Sequence, residues 1–172
     1  MNEFRTLQKK YLPEFVYGGM DGAVTTFAIV AGTVGASLSP VIVIILGFAN
    51  LFADGFSMAA SNYLSTKSAQ DLTTADNDKP PYKTALATFA AFVVVGFVPL
   101  FSFVAAIFFP SLVAMQFELS IILTGIAFII VGIERGRITG KNIFYSVLST
   151  LGIGGAAAFI SYYIGYLLQL LI

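Results

Sequence analysis

Residues 41–65 read VIVIILGFANLFADGFSMAASNYLS, an apolar run that gains a polar edge halfway along. It exceeds the about 20 residues a helix needs to cross a hydrocarbon core, and no charge interrupts it before Asp54. Asn50, Asp54, Ser57, Ser61 and Ser65 step by four, three, four and four. At about 3.6 residues per turn these positions fall within one arc of roughly 100° on a single helix face, with Met58 at its edge. An acid at bilayer depth costs about 2.5–3.5 kcal/mol, so it normally faces a polar partner, a cavity or an ion. The stripe is a candidate cation path.

Composition agrees with a membrane setting. The 172 residues are 58% hydrophobic and only 10% charged, with mean hydropathy +0.89, too few charges to coat a soluble globule of this size. Cys and His are both absent, which removes disulfides, thiolate zinc sites and imidazole ligands together. A metal here is held by oxygen or by thioether sulfur. No basic face offers a footprint for nucleic acid.

Outward from this helix, the chain divides into five apolar spans at about 15–38, 41–65, 84–109, 119–133 and 143–172. Before them, residues 1–14 set Phe4, Leu7, Tyr11 and Leu12 against Arg5, Lys9 and Lys10, the pattern of a short amphipathic segment on the membrane surface. The first span carries Asp21 flanked by Gly18, Gly19 and Gly22, with Thr25 one turn further along the same face. Glycines in lipid let another backbone come close, so this half of the helix is expected to pack tightly against a neighbour or a copy of itself. Gly96 and Pro99 should bend the third span. GIGGAAA at 152–158 offers a smooth patch for packing in the fifth. Residues 66–83 form a polar linker in which Asp71, Asp76 and Asp78 lack the glycine and terminal glutamate of a calcium loop.

Charge sets the orientation. All 9 Lys and Arg residues lie before the first span, between the second and third, or after the fourth, and five spans put those segments on one side. The positive-inside rule then makes the N-terminus cytoplasmic and the C-terminus outside or lumenal. The expected fold is an all-α integral membrane protein of five transmembrane helices. Asp21 and Asp54 are its conspicuous intramembrane acids. Glu134 sits at a cytoplasmic helix end beside Arg135 and Arg137; pairing with an arginine is the plainer reading, a proton or metal role the other.

Carboxylate and thioether donors without thiolate or imidazole suit a borderline divalent ion such as Fe²⁺ or Mn²⁺ better than copper or zinc. Buried carboxylates that trade a proton for the ion give a route to antiport, which makes Asp21 and Asp54 the proton-coupling candidates. Asp21, Asn50, Asp54 and Met58 are the candidate metal ligands, and Thr25, Ser57 and Ser61 the candidate lining. A passive cation or proton channel, or a scaffold whose polar groups only join helices, remains the competing reading. The expected membrane is a prokaryotic plasma membrane, with an organelle membrane as the alternative.

The segments YGGMDGAVTTFAIVAG (17–32), GFANLFADGFSMAASNYLSTKS (47–68), GFVPL (96–100) and GRITGKN (136–142) resemble the vacuolar iron transporter family over nearly the whole chain. The resemblance implies a transporter rather than an enzyme: a five-span homodimer that moves Fe²⁺, often Mn²⁺ too, out of the cytosol in exchange for protons. It implies an ion path at the dimer interface lined by the first two helices, with no permanently bound cofactor. The family's aspartate in the DG motif falls on Asp21 and its methionine in the SM motif on Met58. An acid that some relatives carry eight residues earlier falls on Asn50, which is neutral. The glutamate-rich metal-binding domain that relatives often hold after the second span is replaced by residues 66–83.

Overall fold

The computed structural model describes residues 2–72 and 79–171, with side chains described from residue 10. Among the described residues six helices follow one another: α1 (Asn2–Gly35), α2 (Pro40–Leu72), α3 (Pro81–Gly96), α4 (Val98–Phe108), α5 (Gln116–Thr139) and α6 (Ile143–Leu171), with a 3₁₀ segment at Pro110–Met115 between α4 and α5. Among the described residues there is no strand.

Among the described residues four stretches are long and apolar enough to cross a membrane, and the α3–α4 pair passes the same test together, which makes five if the pair is one span. The two halves of that pair meet at 49°. The bend falls at Phe97, between Gly96 and Pro99, where the sequence leads one to expect it. Proline has no N–H to continue the ladder and its ring crowds the preceding turn. Ser120 of α5 then donates to the Pro99 carbonyl at 2.6 Å, and Ser102 to the Gln116 carbonyl at 2.7 Å, so the bent span is tied to its neighbour.

α1 is the central rod, packed on every other helix. Its glycines explain the closeness of one of those contacts. A methyl group on Gly18 would run into the Thr88 carbonyl, and one on Gly22 into the backbone of Phe92. Gly96 faces Gly22 in return, its would-be Cβ 2.8 Å from the Gly22 carbonyl oxygen. The apolar core lies around this crossing and beyond it, with Phe92, Leu51, Leu100, Val30 and Val43 all buried.

Several element bounds differ from the sequence reading. The surface segment expected at 1–14 is no separate element, because α1 runs unbroken from Asn2 through Pro13. The polar linker is shorter than 66–83. α2 continues to Leu72, since Lys, Ser, Ala and Gln carry no helix breaker, and α3 begins at Pro81. Asp76 and Asp78 lie outside the described residues. α5 likewise extends past residue 133 through the charged GIERGRIT run and stops at Gly140, whose φ of 68° is the left-handed cap. Of the glycines in the GIGGAAA patch only Gly154 is packed within the chain, against Phe128, while a methyl group on Gly152 or Gly155 would meet nothing within 4 Å; Ala158 packs against the core.

Candidate functional site

α1 and α2 form a hairpin closed by the turn at residues 36–39, where Ser37 adopts a φ of 54°. In an antiparallel pair, residues equally far from the turn share a depth. Asp21 therefore comes level with Asp54, and Thr25 and Thr26 with Asn50. The two carboxyl groups are near enough for their charges to act on each other. Both are half-buried. The structure thus brings together the two intramembrane acids that the sequence singles out on separate helices.

The rest of the α2 stripe divides. Asn50 is half-buried, with its amide nitrogen shielded and without a hydrogen-bond partner. Ser57, Ser61 and Ser65 are exposed on the same edge. Met58, placed at the edge of the arc by its spacing, is 7% exposed and packs with Leu51 and Phe92 in the core, so within one chain its sulfur does not line the open edge. The hydroxyl of Thr25 donates to the Asp21 carbonyl at 2.8 Å and is spent on its own helix. Glu134 pairs with Arg137 across one turn at 3.4 Å, which is the plainer of its two readings.

One carboxylate escaped the sequence reading. Glu14 is 7% exposed and binds the Lys79 ammonium at 3.0 and 3.3 Å, while that ammonium also lies over the Tyr11 ring at 5.8 Å. Glu14 is seven residues, two turns, before Asp21 and so on the same face of α1. That spacing is the signal that would have found it. A second polar feature joins α2 to α3: Asn62 donates to Thr88 Oγ1 at 2.6 Å, and Thr66 donates to Asn62 Oδ1 at 3.2 Å and lies 3.2 Å from Thr84 Oγ1. These groups satisfy one another and hold the C-terminal half of α2 against α3.

Among the described residues no three acids gather into a ready-made metal cage. One chain supplies two carboxylates at one depth and an amide one turn away along α2, with an edge of hydroxyls left open beside them. Such a donor set falls short of the roughly six oxygens or more that complete a hard cation's shell.

Comparison with known proteins adds to this geometry. The profile of the VIT family matches residues 12–80 and 73–166, the junction falling where α2 gives way to α3. A protein of Toxoplasma gondii (strain ATCC 50861 / VEG) named vacuolar iron transporter is 28% identical, over 94% of this chain and 76% of its own length. That alignment is 228 positions long, so it opens gaps opposite residues of the relative that have no counterpart in these 172. Proteins of the same name from Plasmodium berghei (strain Anka) and Plasmodium falciparum (isolate 3D7) are each 40% identical over 81 residues, 47% of this chain and 30% of theirs. These relatives are vacuolar by name and come from eukaryotic parasites, so the expected prokaryotic plasma membrane finds no support in them. With the matched residues covering both helices that carry the paired acids, the chain belongs to the VIT family, a family of transporters and not of enzymes.

Proposed function

We propose that this chain exports divalent transition-metal ions from the cytosol, Fe²⁺ first and Mn²⁺ as a second cargo, in exchange for protons. It does so as a homodimer whose ion path is lined by α1 and α2. The observation that carries the reading is that Asp21 and Asp54 come level on two membrane-spanning helices, with the Asp54 charge reaching the Asp21 carboxyl. Two carboxylates facing each other in a medium of low dielectric repel, and a cation or a proton between them removes the repulsion. The same pair therefore holds either cargo in turn, which is the minimum an exchanger requires. The names of the relatives favour iron.

The Asn50 amide oxygen adds a neutral donor beside the pair. Met58 supplies a soft donor one turn from Asp54 once its side chain leaves the core, which makes its part in binding conditional on a movement of α2. The exposed Ser57 and Ser61 edge is where a second copy would complete the coordination. Basic residues confined to one side support a cytoplasmic N-terminus and an outer or lumenal C-terminus.

The test is ion uptake into proteoliposomes with and without a pH gradient, run with Fe²⁺, Mn²⁺, Co²⁺, Zn²⁺ and Ca²⁺. Fe²⁺ and Mn²⁺ flux should accelerate when protons run the opposite way. Flux indifferent to the gradient would make the protein a passive channel, and no flux from an intact dimer would make it a scaffold.

A further inference from the structure

We infer that Arg135 is a positioning residue for the proposed transport: its guanidinium acts on the Asp21 carboxyl across one shared cavity, as a tethered cation that opposes the bound ion and eases its release. The inference rests on the reading of Asp21 as an ion ligand. The cavity lies between α1, α5 and α6, holds about 500 Å³ and takes most of its wall from apolar side chains such as Val16, Met20 and Ile153. The charged groups on that wall are Asp21 of α1 and Arg135 of α5. Asp21 therefore looks two ways, to the charge of Asp54 on α2 and into this cavity. Tyr11, Leu12 and Phe15 share a second cavity with Glu134 and Ile138, which puts Arg135 near the level of Phe15. From there Asp21 is six residues, about 9 Å of helix rise, further along α1.

What qualifies Arg135 for this part is that no acid cancels its charge. It is half-buried, four residues before the end of α5. Glu134 is engaged by Arg137 at 3.4 Å, and among the described residues no carboxylate pairs with Arg135; its guanidinium donates to the Ser149 hydroxyl, at 3.3 Å. Ser149 is four residues before Ile153 and so on the same face of α6, the face that walls the cavity. An arginine stays charged at any working pH. Across a space walled mostly by apolar groups its field is felt more strongly than through bulk water. Two carboxylates by themselves hold a divalent ion firmly and repel each other once it has left. A fixed guanidinium raises the energy of the loaded pair and lowers that of the empty one, so both effects favour release. An arginine that merely reaches for water would leave the affinity for the ion untouched.

The test is Mn²⁺ binding to the purified full chain, followed by loss of the free-ion electron paramagnetic resonance signal. Arg135→Gln should tighten binding about tenfold, a gain that damage to the fold does not produce, and Arg135→Lys should stay near wild type. In an Asp21→Asn background the same Arg135→Gln change should bring no gain. Thr139→Lys adds a second cation to the cavity wall with Arg135 in place and should weaken binding roughly threefold, which decides the matter should Arg135→Gln fail to fold. The chain has no cysteine, so Asp21→Cys with Arg135→Cys tests the shared cavity without any metal: a short bifunctional thiol reagent should bridge the pair within one molecule. Binding that needs Asp21 but is unchanged or weaker in Arg135→Gln overturns the inference and leaves the transport reading standing, as does failure of the two cysteines to bridge. A wild type that binds no Mn²⁺ sinks the transport reading first, and the inference with it.

Discussion

α1 meets α3 and α2 on different terms. Against α3 it presents Gly18 and Gly22, and backbone touches backbone with no space for a methyl group. Against α2 it presents Asp21, half-buried opposite Asp54, with exposed serines alongside. In lipid the hydrophobic effect does not drive helices together, so close van der Waals contact between small residues has to hold them. The α3 side is therefore the fixed frame. The α2 side keeps polar groups, open space and charge repulsion, and it is the side that can change.

The comparison breaks most severely if the frame is removed. Gly22→Leu should abolish the folded protein, because the added side chain meets the Phe92 backbone, which cannot turn aside as a side chain can. Overpacking typically costs about 1–3 kcal/mol even where neighbours give way. Size-exclusion chromatography and far-UV circular dichroism after extraction should show aggregate; a monodisperse helical variant would mean that the α1–α3 contact is looser than described.

Where α1 meets α2, Asp21→Asn and Asp54→Asn should each cut ion flux by roughly a hundredfold, the range for removing one charged partner from a buried site. Thermal stability should hold or rise, since an isosteric amide ends the repulsion between the pair. Loss of fold along with flux would place these acids in the frame instead.

How far the sequence reveals this division depends on the kind of contact. Gly18, Gly19 and Gly22 around Asp21 are legible as close packing with an acid beside it, because a membrane span rarely carries clustered glycines without a helix against them, or a charge without a polar task. Pro99 announces its own bend. Met58 is harder to place. The arc through Asn50, Asp54, Ser57 and Ser61 and the buried arc through Leu51, Gly55 and Met58 are offset by one residue, about 100°. Lipid and protein interior are equally apolar, so hydropathy does not say which arc faces inward. The Glu14–Lys79 pair joins residues 65 apart in sequence, and nothing local in either segment specifies that contact.

That ion pair gives a smaller effect, two turns before Asp21 along α1. Lys79→Met leaves the Glu14 carboxylate buried without its partner and should cost about 2 kcal/mol. This is below the 3–5 kcal/mol of a fully buried pair, because the Lys79 side chain keeps 28% of its surface exposed. Glu14→Gln with Lys79→Met should recover most of the loss in a thermal unfolding series. Equal stability of the single and double variants would show that the pair is solvated and ties nothing down.

The finest test is Thr26, because it asks whether the α3 side is as dry as its glycines suggest. Thr25, Thr33, Thr88, Thr124, Thr139 and Thr150 each return their hydroxyl to the backbone carbonyl four residues back. Thr26 is wholly buried and its hydroxyl has no partner. It lies one turn beyond Gly22, which packs on Gly96, and so at the level of the α3–α4 bend. If this side is only frame, the hydroxyl is a buried polar group with nothing to gain. Valine, which keeps the shape, should then raise stability by about 1 kcal/mol. Ion flux through Thr26→Val should meanwhile stay at the wild-type rate. A fall in flux at undiminished stability would mean that the hydroxyl finds its partner while ions are moving, and that the changing side of α1 reaches round to the bend.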